Sequence, residues 1–293
     1  MAIDLAYDEG GKGNILLVSM QLAQVERAKK LKKIWRRKLK GKGIEYFHSK
    51  EFSRMAGGVF KGLDSLQRLE LLTDLSTLIH RRVSTGITFS IDVEFYNRLT
   101  TQPFRSRWGS AYTFCISMLA MSAYLYCTEF HLGLDVNILI EDGHRNSAQA
   151  LQVMQDAKKM KGKPGQFLNI LTAALGSKKD HPILQAADML AYSNWQHIRG
   201  GDATIYNALH IENSKYKPTI LNVDEALIKS ITDSADNWIA IRKELGRRVP
   251  KKDEDKQRGI PEVQPSYEHA AESATQRDQS QTRRGEESKK AEA

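Results

Sequence analysis

Four acidic positions, far apart in the chain, have the surroundings in which carboxylates do chemistry. "LAYDEGG" closes an apolar run with Asp8 and Glu9, and "ILIEDGH" closes another with Glu141 and Asp142. Asp188 stands inside the apolar stretch "LQAADML", and Glu51 follows His48 by three residues in "FHSKEF". Carboxylates brought together repel, and burial favours their protonated form, unless a cation neutralises them. Mg²⁺ or Mn²⁺ suits such a set, both being hard cations that prefer oxygen ligands. Two such ions about 4 Å apart can activate a water and stabilise the leaving oxygen of a phosphodiester.

Each residue also has a plainer reading. Asp8 and Glu9 fit the solvated end of a hairpin strand, and strand parity says only that they point to opposite faces. The same ambiguity holds for Glu141 and Asp142. Asp188 is flanked by Ala186, Ala187, Met189 and Leu190, with Leu184 and Ala191 as its helical neighbours. An acid on such a face is rarely without a partner, so pairing or capping is the alternative to catalysis. His48 fits a structural, hydrogen-bonded histidine equally well, although its spacing to Glu51 allows both on one face of a helical turn. Gln185, about one turn before Asp188, is placed to orient a carboxylate or a phosphate. Other chemistries fit poorly. "GGKGN" lacks the Gly-Lys-Ser/Thr ending of a P-loop, no Cys/His set has zinc spacing, and no Gly-x-Ser-x-Gly elbow is present.

The elements that must position these residues alternate between strand and helix. The first 20 residues read as a β-hairpin whose turn uses Gly10, Gly11 and Gly13 for positive φ. Residues 21–41 read as a basic amphipathic helix and 64–83 as a helix with Asp64 as N-cap. A strand is expected over 85–93, then one long apolar helix over 106–132, a strand over 134–143 and a helix over 146–160. A further strand follows over 166–175 and a helix over 181–200, with Pro182 tolerated in its first turn. The pattern weakens beyond about residue 205, apart from a helix over 223–244. A hairpin followed by alternating strands and helices predicts an α/β domain with a mixed sheet covered by helices. The predicted domain spans 1–247, with a core over about 3–200 and a helical extension over about 205–247. Residues 248–293 have almost no large apolar side chains and are expected to be a disordered charged tail.

Charge points to a partner. The chain of 293 residues carries a net charge of +9, and ten Lys and Arg residues lie between Arg27 and Lys42 without an acid among them. Neutralising phosphates is the commonest use of such a block, and Lys29, Lys30, Lys33, Arg36, Arg37 and Lys40 are the expected nucleic-acid contacts. The alternative is a solvated helix face whose stripe of Leu31, Ile34, Trp35 and Leu39 packs inward. Cys115 and Cys127 would lie about 18 Å apart along one helix, too far to bridge, and fit buried thiols of a reduced, cytoplasmic protein. No apolar run reaches transmembrane length and the first residues do not read as a signal peptide, so no membrane is expected as a partner. The oligomeric state is not legible.

In this order, Asp-Glu-small-Gly after the first strand, Phe-His-x-x-acid, Glu-x-Gly-His and "LQAADMLAY" resemble the family catalogued as domain of unknown function 3800. The resemblance covers about residues 3–200 and implies a ribonuclease H-like fold. It implies carboxylates from the first strand, an early helix, the fourth strand and a late helix converging on divalent metal. Carried over by position, these are Asp8, Glu51, Glu141 and Asp188, with His48 assisting proton transfer or product release and Asp142 as substitute for Glu141. Glu9, Gln185 and His144 would stand behind them. Gly10 departs from the Ser or Ala usual in the family, with little effect expected beyond turn flexibility. The expected function is a Mg²⁺- or Mn²⁺-dependent nuclease, with two ions. The alternative is a module of a defence or mobile-element system that binds nucleic acid without cutting it. A purely structural role for the acids would instead put Asp188 beside an arginine and far from Asp8.

Overall fold

A computed structural model describes residues 2–54, 58–159, 168–212 and 214–233. The predicted charged tail and the second half of the helix expected over 223–244 lie outside the described residues; the first half is helical over Glu225–Asp233. The chain divides into a compact unit, Met1–Glu254, and a second, Asp255–Ala293, of which no residue is described.

The first unit is an α/β domain: a six-stranded mixed sheet with helices on both faces. β1 (Ile3–Lys12) and β2 (Ile15–Gln24) form the hairpin, and β3 (Thr85–Asp92) pairs antiparallel with β2. β4 (Asp135–Glu141) adds parallel to β1, β5 (Asn169–Gly176) parallel to β4, and β6 (Thr219–Asn222) parallel to β3. The order across the sheet is β5-β4-β1-β2-β3-β6. The short β6 was not anticipated, since four residues carry no readable alternation.

Alternation along β1 divides the two layers. Ile3, Leu5 and Tyr7 point into a core shared with α6 (Ala111–Glu129), joined from neighbouring strands by Val18, Met20, Phe89, Ile138 and Ile140. α6 is long and apolar enough to cross a membrane by length and composition, and 72% of that stretch is buried inside the protein. The single helix expected over 106–132 is two: α5 (Gln102–Trp108) ends at Gly109, φ 79°, and Ser110 caps α6 through the Thr113 amide. A residue in the left-handed region cannot continue a helix.

The opposite face carries Asp4, Ala6, Asp8 and Gly10, and α8 (Pro182–Ile198) lies against it. α1 (Val25–Gly41) and α3 (Ser65–Arg82) complete this layer around Trp35, Phe47, Leu75 and Met189. α1 starts four residues later than its sequence suggests, because Gln21–Gln24 remain paired in the hairpin and Leu22 also pairs with Thr85 of β3. Asp64 caps α3 as expected, in a capping box with Gln67.

α8 is held in register by buried polar groups. Gln21 donates to the Ala186 carbonyl and to the Tyr216 hydroxyl, at 3.1 and 2.9 Å. Asn194 donates to Thr88 Oγ1 at 2.7 Å, and Thr88 shares a 2.6 Å hydrogen bond with Ser19. Buried polar groups demand partners, so sliding α8 along the sheet would leave several unpaired. Gly10 serves the same close contact. It is a strand residue paired with Leu17, and a Cβ there would come within 3.0 Å of the Ala191 carbonyl oxygen. Only Gly11 and Gly13 of the three hairpin glycines have positive φ. The role expected of Gly10 is thus corrected from turn flexibility to helix–sheet approach.

Candidate active site

Asp8 does not end its strand. It lies one residue beyond the parallel pairing of β1 with β4, whose last paired residues are Tyr7 and Ile140. One step further along both strands, Asp8 and Glu141 are neighbours on the α8 face of the sheet. β4 alternates in burial, so Glu141 shares this face while Asp142 is exposed. Glu141 folds back to accept from the Gly143 amide at 2.7 Å, and a Cβ on Gly143 would meet that carboxylate at 2.7 Å. The glycine of "IEDGH" is therefore what admits the carboxylate.

The small residues of α8 bring Asp188 over the same spot. Its Oδ2 accepts from the Ser49 amide, at the start of α2 (Ser49–Ser53), at 2.7 Å, and its Oδ1 accepts from Lys178 Nζ at 3.0 Å. The same ammonium lies 3.1 Å from Asp8 Oδ2. One nitrogen thus spans two carboxylates 180 positions apart in sequence, whose oxygens lie within about two hydrogen-bond lengths of each other. Asp8 Oδ2 has this ion-pair contact but no aligned hydrogen bond, although Asp8 is completely buried. Asp8 Oδ1 accepts from the Glu9 amide at 2.7 Å.

Electrostatics follow from burial. Loss of water pushes the Asp8 carboxyl well above its usual range; Lys178 opposes that rise, and Asp188 and Glu141 add to it. Glu9 is raised to about 7 by burial and by Glu141, against the pull of Lys178. Burial works against the Lys178 charge, yet Asp188, Asp8 and Glu141 together hold its ammonium well above the usual lysine range. Glu9 is half-buried rather than solvated, and its Oε2 is buried without a hydrogen bond.

His48 and Glu51 reach the rim. His48 Nδ1 lies 3.2 Å from Glu51 Oε1, and its Nε2 lies 3.9 Å from Asp188 Oδ1. Glu51 therefore meets the site through His48. Gln185 touches no carboxylate: its Oε1 accepts from Trp35 Nε1 and the Phe47 amide at 2.7 and 2.9 Å, and its Nε2 donates to the Lys178 carbonyl at 2.6 Å. It ties α1, the 47–49 connection and the lysine loop to α8. His144 stacks on Tyr112 with ring centroids 3.9 Å apart and accepts from the Asn146 amide, which leaves its proton on Nε2. Burial and Arg145 lower its pKa.

The basic residues of α1 divide between flanks. Ala28, Leu31, Trp35 and Leu39 face inward, and Lys38 turns toward α3, where it pairs with Asp74. Lys29, Lys32, Arg36 and Lys40 form one exposed row toward the start of α8, where Arg36 donates to the Asp180 carbonyl at 2.7 Å. Lys30, Lys33 and Arg37 point outermost. Lys32, in this row, was not among the expected contacts.

Lys178 was also missed, and the chain holds a signal for it: "GSKKDHP" places two lysines immediately after a strand and before the helix that carries Asp188. Among the described residues, no three His, Cys, Asp or Glu side chains converge closely enough to hold a metal ion. The donor chemistry nevertheless suits a hard divalent cation. Asp8 and Asp188 share one ammonium that Glu141 also helps to hold charged, and a buried Asp8 oxygen lacks a hydrogen bond. No protein-family model matches the chain, and no curated protein matches it.

Proposed function

We propose that the protein is a metal-dependent nuclease that hydrolyses phosphodiester bonds. The observation that carries this reading is the sharing of one ammonium, Lys178, by Asp8 of β1 and Asp188 of α8, with Glu141 of β4 near enough to push the buried Asp8 carboxyl further up. The order of motifs that resembles the family catalogued as domain of unknown function 3800 supports it, since the same elements were expected to contribute.

In this reading Asp8, Asp188 and Glu141 hold Mg²⁺ or Mn²⁺, with Glu51 and His48 at the rim. A divalent ion there supplies activation of water and charge stabilisation at the leaving oxygen. His48, oriented by Glu51, takes or delivers a proton at Nε2, the nitrogen that faces Asp188. Lys178 meets the negative charge of the phosphate, and the row along α1 holds the backbone of the strand. Gln185 fixes the backbone on which Lys178 stands.

A second reading has one observation in its favour. The Lys178 ammonium stands between Asp8 and Asp188, as it would in a module that binds nucleic acid without cutting it. Labelled single-stranded, duplex and hybrid substrates, incubated with Mg²⁺, Mn²⁺ or chelator, separate the two. The nuclease cuts at least one substrate in a metal-dependent manner, and Asp8→Asn lowers the rate by at least about a hundredfold. Substrates left intact in both metals would overturn it.

A further inference from the structure

α8 covers β1 and β2, but the same face of β4 and β5 is left open beside it. Between this open face, α1 and the start of α8 lies a cavity of about 340 Å³. Its size is at the small end of ligand sites, enough for one nucleotide-sized group and too small for a duplex.

Its walls differ in chemistry. Leu139 and Ala174, adjacent across β4 and β5, make an apolar patch on the floor. A hydrogen-bond chain crosses three strands next to it: Thr172 Oγ1 donates to Asn137 Oδ1 at 2.9 Å, and Asn137 Nδ2 donates to Asp4 Oδ1 at 3.0 Å. Lys29 and Lys32, one turn apart on α1, stand on the rim together with His181. The Asp4 carboxylate keeps anions off the floor, so a phosphate belongs on the α1 rim and an uncharged ring on the floor. The cavity shares its sheet face with the carboxylates. Asp4 and Asp8, like Asn137 and Glu141, are four residues apart, about 13 Å along their strands. A short single strand bridges that distance.

We propose that this cavity is a subsite for one nucleotide of a single strand that runs on to place a phosphodiester at Asp8 and Asp188. The proposal rests on the nucleic-acid reading above and assigns it a single-stranded substrate. The base lies over Leu139 and Ala174 with its polar edge toward Asn137 and Thr172, and the phosphate lies on Lys29 and Lys32.

Fluorescent DNA and RNA octamers, titrated in chelator so that nothing is cut, provide the test. Ala174→Trp fills the cavity from an exposed strand position, and Lys32→Glu reverses one rim charge. Each is expected to weaken octamer binding about tenfold while thermal unfolding stays unchanged. Lys32→Glu also lowers the slope of log affinity against log salt by about 0.7, one single-strand phosphate contact. A nucleoside monophosphate competes weakly with the octamer. Octamer affinity unchanged in a folded Ala174→Trp variant overturns the subsite. So does a monophosphate that binds and is lost in Ala174→Trp while the octamer is unaffected, since the cavity then serves a free nucleotide. Cleavage assays keep the two proposals apart. Weakened binding without cleavage in any metal leaves the subsite standing and removes the nuclease, whereas cleavage indifferent to both variants does the reverse.

Discussion

Lys178 Nζ donates to Asp188 Oδ1 at 3.0 Å from a loop two residues beyond β5, and its other close carboxylate is the fully buried Asp8. Each partner makes the burial of the other tolerable. Lys178→Met, with divalent ions chelated, is expected to lower stability by about 3–5 kcal/mol, because it leaves two acids without their cation. Combining it with Asp8→Asn should recover part of that loss, as residues in one charge network are coupled. Denaturant melts of the two single variants and the double variant measure the coupling, and strictly additive losses would show that the ammonium is not shared.

Gln185 has three partners on three segments: Trp35, the Phe47 amide and the Lys178 carbonyl. Gln185→Leu keeps the volume but leaves these buried groups unpaired, at a cost of roughly 2–4 kcal/mol. If the protein cuts nucleic acid, the rate should also fall about tenfold, with Asp8 and Asp188 chemically intact. Thermal melts and cleavage rates, with Trp35→Phe as the variant that removes one of the three bonds, distinguish loss of anchoring from global unfolding.

Gly10 lies under the backbone of α8, and a Cβ there reaches 3.0 Å from the Ala191 carbonyl oxygen. Gly10→Ala is expected to destabilise by about 1–2 kcal/mol through overpacking. A variant as stable as wild type in urea would show that α8 can retreat from the sheet.

The ring of Tyr206 is stacked between His197 and His210, with centroids 3.9 and 3.8 Å away. His210 also bonds to Asn194 at 3.2 Å. Burial, with His197 and His80 nearby, lowers its pKa from 6.5 to about 4. The unfolded chain therefore binds a proton that the folded one refuses between these values, so stability present above pH 6.5 is lost as pH falls toward 4. The loss is about 1–2 kcal/mol once partial exposure to water is allowed for. His210→Asn should flatten the stability profile over this window, which urea melts at pH 4.5, 5.5 and 7 would read.

Much of the fold was legible because its elements are strongly patterned. The β1–β2 hairpin, α3 with its Asp64 cap, β3, β4 and α8 follow from alternation, helical spacing and capping residues, which act locally. The errors fall where neighbours override local preference. β2 outlasts its expected end because two strands pair with it, and Gly109 divides one apolar run into α5 and α6. β6 exists because the edge of β3 accepts it.

The site divides in the same way. Asp8, Glu141 and Asp188 stood out in the sequence because charged residues at the ends of apolar runs, or inside them, need a partner, and that cost is local. What the partner is depends on distance in space. Lys178, in a short polar loop, looks like any surface lysine until the β4–β5 pairing and the descent of α8 place it between two acids. Lys32 and Lys33 are equivalent by composition, and only the seating of Trp35 against Gln185 turns one toward the open sheet face and the other to solvent. The sequence by itself determined the α/β class and which acids need compensation. The tertiary structure alone decided which cation compensates them, because Coulomb and hydrogen-bond energies depend on separations of a few ångströms that residue order does not encode directly.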